Sequence, residues 1–251
     1  MKLYRMLDKY GNLCTGGEAQ WSLPEKQEDS TWKPGEWMPK INGKLIYHEN
    51  GYHLLKEAGL ISGLGETIYA VEYRGEAIEE GEDVIVVREC RLLKKYENWN
   101  ERTARLFACW CVREMPLADD RKVWNLLTDE RSRRAVEVAE KYANGEATAK
   151  ELEAARVAAN DVLWIWSFEN MYAASRAAAH VAEKEAWAAA STAAYSAACA
   201  AEKVEYDAAC ATENDSERPV WKVAQDSMKA AFAVAKIVQL MELLRIIEEE
   251  V

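Results

Sequence analysis

The chain has 251 residues, 49% of them hydrophobic and 30% charged, which is a globular composition and not a disordered one. Its formal net charge is -11, which argues against nucleic acid, whose binding needs a basic face, and is compatible with a basic protein surface. No run of 18 apolar residues occurs and residues 1–12 lack the apolar stretch of a secretion signal, so the chain reads as cytoplasmic with no membrane span.

Glycine divides the chain. Eleven of its twelve glycines lie at or before Gly81, and only Gly145 comes later. The border is placed near Glu97–Trp99, giving a small α+β domain over 1–97 and an alanine-rich helical bundle over 98–251. The expected fold class is α+β, with a small, mostly antiparallel N-terminal sheet ahead of the helices.

Lys2–Asp8 reads as a first strand, closed by a turn at Tyr10-Gly11-Asn12. A loop-rich region follows, with Trp21, Trp32, Trp37 and three prolines. Such tryptophans either pin a loop to its domain or line a surface that grips a partner. Lys44–His48 reads as a second strand and Tyr52–Gly59 as a short helix ended by glycine. Thr67–Tyr73 alternates with a period of two, and Tyr73-Arg-Gly-Glu76 is expected to turn the chain. Glu82–Leu93 is the strongest strand signal, with Val84, Val86, Arg88 and Cys90 on one face.

From Asn100 the apolar period becomes 3.6. One helix is expected to about Glu114, a short one over Asp119–Leu127, and a third from Thr128 or Asp129 to the stop at Gly145. Thr148-Ala-Lys-Glu151 is a capping box that opens an alanine-saturated stretch reaching about Ala211. A single straight helix of that length would span about 90 Å, so the stretch must fold back. The polar interruptions Asn160-Asp161, Ser167–Asn170 and Ser191-Thr192 are the candidate breaks. Asn214-Asp215-Ser216 and Pro219 then start a last helix running to about Glu249, with a broad apolar side. Leu240, Leu243, Leu244, Ile246 and Ile247 near its end suggest a symmetric homodimer.

Catalytic patterns are scarce. Gly63-Leu-Gly65 precedes a strand, not a helix, so it is no dinucleotide fingerprint. Three histidines exclude a histidine-rich metal site, and no cofactor is expected. Cys109-Trp-Cys111 lacks redox or zinc spacing and reads as two buried apolar residues. The lone His180 reads as an interface or core residue. The best polar cluster is His48, Tyr52, His53, Tyr73, Arg74 and Glu76. Arg74 can grip a phosphate or carboxylate, and His53 with Glu76 can serve acid–base work in a cleft. Read plainly, His53 packs on the sheet and Arg74 and Glu76 form a surface ion pair.

Residues 99–109, 129–148 and the alanine blocks to about 211 resemble the alanine-rich helical domain of immunity proteins of the Imm-5-like group. Residues 49–55, 67–76 and 86–93 resemble an uncharacterised domain found beside it in bacterial and phage-borne proteins. Glycines expected between the alanine blocks are missing here. The resemblance implies a non-enzymatic inhibitor that neutralises a toxin or a host defence factor by protein–protein contact. Two other readings stand beside it: a protein that sequesters a small nucleotide signal, and an enzyme using His53, Arg74 and Glu76. Trp21, Trp32 and Trp37 are the candidate partner-binding residues, and the polar cluster is the candidate ligand site.

Overall fold

The computed structural model describes residues 1–13, 19–163, 170–211 and 220–249. The protein is α+β, and the chain divides into two compact units: Met1–Asn100 with Leu244–Val251, and Glu101–Leu243.

In the first unit, β1 (Leu3–Leu7), β4 (Tyr52–Leu55), β5 (Thr67–Glu80) and β6 (Val84–Lys95) close a small antiparallel barrel in the order β1-β4-β6-β5. The two-residue strands β2 (Glu25–Lys26) and β3 (Trp32–Lys33) form a separate hairpin. The barrel buries Leu3, Leu7, Leu54, Val71, Ile85 and Leu92 together with Trp21. Closure leaves no free sheet edge between these strands.

Three local expectations are corrected. Lys44–His48 is not a strand: only a bridge joins Ile46 to Asn50, around a turn in which His48 takes a φ of 63°. The side-chain amide of Asn50 donates to the carbonyls of Asn42 and Lys44 and fixes that turn. Tyr52–Leu55 is a strand and not a helix, because it pairs with Val84–Val87 of β6; a 3-10 turn follows at Glu57–Gly59. Long-range pairing here overrides a short helical pattern. Residues 73–76 do not turn the chain. β5 runs through them with a register shift between Arg74 and Ala77, and Gly75 supplies the φ of 82° that the bulge requires. The same stretch changes the phase of β6, so Cys90 packs in the barrel core with Ile85 and Val87, while Val86, also fully buried, is not part of that group.

β4 covers only the first part of β6. Beyond it the loop takes over: the amides of Gly35, Met38 and Ile41 donate to the carbonyls of Leu92, Cys90 and Arg88 at 2.9–3.0 Å. Gly35 lies so close to the Ser22 carbonyl that a Cβ would stand 2.1 Å from its oxygen.

The second unit holds α1 (Glu101–Arg113), α2 (Glu130–Ala143), α3 (Ala149–Leu163), α4 (Asn170–His180), α5 (Ala186–Ala211) and α6 (Val220–Glu248), the last turn of which groups with the first unit. Asp119–Leu127 is not an α-helix but a loop ending in a 3-10 turn at Val123–Leu126. Asp129 caps α2 by accepting from the Arg131 amide, and Asn144-Gly145 closes it, with a φ of 75° at Gly145. The capping box forms: Thr148 N donates to Glu151 at 2.8 Å, and Glu151 N to Thr148 Oγ1 at 3.3 Å.

α5 packs on α4 and α1 through buried Ala189, Ala190, Ala193, Ala197 and Ala200, whose short side chains let helix axes approach closely. Gln239 of α6 donates to the Ala194 carbonyl at 2.8 Å. The alanine stretch breaks at residues 181–185, which is none of the three expected positions and carries the charged run Glu183-Lys184-Glu185. Asn160-Asp161 stays inside α3, and Ser191-Thr192 inside α5, where the Thr192 hydroxyl donates to the Ala188 carbonyl. Ser167–Glu169 of the third candidate break, and the expected caps Asn214–Ser216 with Pro219, lie outside the described residues; Asn170 opens α4.

The break is held by Arg105 of α1, which is 0% exposed. Its guanidinium donates to the carbonyls of Val181 (2.9 Å), Glu183 (2.8 Å) and Lys184 (3.0 Å), and it lies 5.2 Å from the centre of the Tyr142 ring. No carboxylate pairs with it among the described residues, and burial pulls its pKa down from the usual range. Its charge is met by backbone dipoles and an aromatic face. Arg105→Met is expected to destabilise the protein by about 3 kcal/mol, because three buried carbonyls lose their donors. Arg105→Lys should recover only part of this, since an ammonium cannot reproduce the fork. Urea unfolding of both variants checks the order.

Candidate functional site

The six cluster residues fall into two groups, with β6 running between their strands. On the β4 side, His53 Nε2 accepts a hydrogen bond from the His48 backbone amide at 2.8 Å. The Tyr47, His48 and His53 rings form one group with centroids 3.9–5.8 Å apart, the two histidines stacked and Tyr47 tilted against both. Arg5 donates to the His53 carbonyl. Tyr52 donates to the Pro39 carbonyl at 2.8 Å and meets Trp21 edge-on. These contacts close the Ile46–Asn50 turn and fasten the loop to the barrel. The nitrogen of His53 that would act as a base is already an acceptor.

On the β5 side, the cross-strand register builds a ladder of ion pairs: Glu72 with Arg91, Arg74 with Glu89, and Glu76 with Arg88. The expected Arg74–Glu76 pair does not form; neighbours across the sheet take both. Arg88 also donates to the carbonyls of Ile41 (2.6 Å) and Gly43 (2.8 Å). Arg74 holds Glu89 below the usual carboxylate range. The Trp37 ring lies 4.2 Å from Arg74 and 4.8 Å from Arg91, so it clips the loop onto the ladder by cation–π contact. Tyr73 is exposed.

Trp21 is 3% exposed and belongs to the core, with Arg5 5.3 Å from its ring centre; Trp32 and Trp37 are half-buried. Cys90 is pushed up to about 12 by burial, and burial also raises Cys109 and Cys111, so none of these thiols is activated. His180 pairs with Glu183 through Nδ1 at 3.2 Å.

Two surfaces of the helical unit were not singled out by the sequence reading. On α6, Val234 (57%), Ile237 (57%) and Met241 (67%) are exposed at a spacing of three and four residues, opposite the buried Ala224, Ala235 and Gln239. Ala230 and Ala233 extend this stripe. The helical spacing of Val234, Ile237 and Met241 is readable in the sequence, but the exposure of the face they share is not. Leu243, Ile246 and Ile247, by contrast, are buried within the chain. The second surface is a cleft between α2 and α3 that contains Arg134 and Lys141.

Among the described residues no group of three or more His, Cys, Asp or Glu has metal-site geometry, and no helix is long and apolar enough to cross a membrane. None of the known family models, curated proteins or solved structures matches this chain.

The His53 contacts predict a pH effect on stability. Burial lowers the pKa of His53 below its ordinary 6.5, with Arg5 and His48 adding to the effect. The unfolded chain therefore binds the proton more readily. The contribution of His53 is complete above pH 6.5 and is lost as pH falls through 6.5 to the lower folded value. His53→Asn should flatten the urea-midpoint profile in that window.

Proposed function

We propose that the protein is a non-catalytic, cytoplasmic binding protein that neutralises a protein target, in the manner of the immunity proteins its helical sequence resembles. The carrying observation is the α6 stripe of Val234, Ile237 and Met241, three large apolar side chains more than half exposed on one helix face. Such a stripe is costly to leave in water and is the usual anchor of a helix-face interface. The occupant is a protein with a basic surface: the chain's net charge of -11 favours encounter with it. The engagement of His53, Arg74 and Glu76 in scaffold contacts supports a binding role over the acid–base reading of that cluster.

The test compares the parent chain with Ile237→Glu and Val234→Glu in native mass spectrometry of material recovered from its host. The expected result is one basic protein at fixed stoichiometry, held less tightly as salt rises and lost from both variants. A partner retained by both variants, or none at all, would overturn the proposal. So would a dimer of the parent that both variants dissolve, which would assign the stripe to a second copy of the chain.

A further inference from the structure

The cleft between α2 and α3 has a volume of about 300 Å³ and lies wholly within the helical unit. Three chemistries meet there. Arg134 and Lys141 of α2 supply positive charge, Glu137 and Glu146 supply carboxylates, and Ala154 and Ala158 of α3 make a floor of small apolar groups. Val138 and Ala155 complete the floor.

The cations differ in their employment. Arg131, at one end of the cleft, is held by Asp129 in a two-pronged pair. Arg134 and Lys141 make no side-chain hydrogen bond or ion pair with any described residue; Glu151 is held below the usual carboxylate range chiefly by its hydrogen bonds with Thr148, and the two cations add to that. Glu151 itself is taken by the capping box with Thr148. Two uncommitted cations therefore stand seven residues apart on one helix face, about 10 Å along its axis. Glu137 and Glu146 are likewise free of ion pairs with described residues.

A simple anion would be drawn by Arg134 and Lys141 and repelled by the carboxylates beside them. A ligand that satisfies all three chemistries carries an anionic group for the cations, hydrogen-bond donors for the carboxylates, and a flat apolar body for the alanine floor. A phosphate, a sugar with hydroxyl groups and a base with an amino group have this composition. We propose that the α2–α3 cleft binds a small nucleotide of the nucleoside monophosphate class, with Arg134 gripping the phosphate as a fork and Lys141 as a point charge. Glu137 and Glu146 accept from the ribose hydroxyls or the base amino group, and the base lies on Ala154 and Ala158. The volume stands at the lower end of small-molecule sites, which suits a ligand of this size and no larger cofactor. This inference stands apart from the α6 stripe and does not rest on it.

The experiment is isothermal titration of the full chain at low salt with the four ribonucleoside 5′-monophosphates, and with inorganic phosphate as a separate arm. The expected result is one-to-one binding of at least one nucleotide, at least about tenfold tighter than inorganic phosphate. Arg134→Ala should weaken it about tenfold or more, and Arg134→Lys by less. Ala154→Leu, which fills the floor at an exposed position, should weaken the nucleotide but not inorganic phosphate. Arg134 is exposed and its side chain bonds to no described residue, so its variants are expected to keep the parent's circular dichroism and melting temperature. Failure of all four nucleotides to bind, equal affinity for inorganic phosphate, or unchanged binding in folded Arg134→Ala would each overturn the proposal.

Discussion

A buried arginine is the constraint on which the helical unit depends. An alanine-saturated stretch has no internal reason to stop being a helix, and nothing between residues 181 and 185 is glycine or proline. Breaking it there frees carbonyls that a helix would have used. Arg105 supplies donors for three of them from a neighbouring helix, and the carbonyls in turn make its own burial tolerable. Each side of the contact would be expensive alone. Together they fix where α4 ends and α5 begins, and so which alanine faces meet.

The barrel solves a different problem with similar economy. A four-stranded closed sheet has little interior, and β4 is too short to cover β6. The loop carrying Trp21 and Trp37 makes up both deficits. Trp21 fills the core, while the amides of Gly35, Met38 and Ile41 occupy the uncovered carbonyls of β6. Trp37 then lies on the ion-pair ladder from outside. The polar residues that look catalytic in the sequence are the fastenings of this loop.

Much of the architecture was legible in the sequence because it is set by local chemistry. Glycine distribution marked the change from sheet to helix, and Asp129, Gly145 and Thr148–Glu151 marked helix ends with groups that act within four residues of themselves. What was not legible is set by partners distant in the chain. Tyr52–Leu55 has a helical pattern but is drawn into β4 by β6, and the bulge at Gly75 looks like a turn until its partner Arg88 is seen across the sheet. The break at 181–185 has no glycine, proline or Asn/Ser/Thr to mark it, only the charged run Glu183–Glu185 that a helix tolerates, and the group that holds it sits 76 residues earlier. The candidate cluster was legible as chemistry but not as use: Arg74 and Glu76 are two residues apart, yet each is claimed by β6. The α6 stripe was hidden for the opposite reason, because exposed and buried apolar residues read alike in sequence.

The central functional claim is that α6 meets a protein through Val234, Ile237 and Met241. Site-specific photocrosslinking in the host addresses it directly, with a photoreactive residue at position 237 and, as control, at the exposed Lys150 on α3. A single basic protein is expected to crosslink at 237 and to be absent at 150. The same products at both positions, or no protein product at 237, would contradict it.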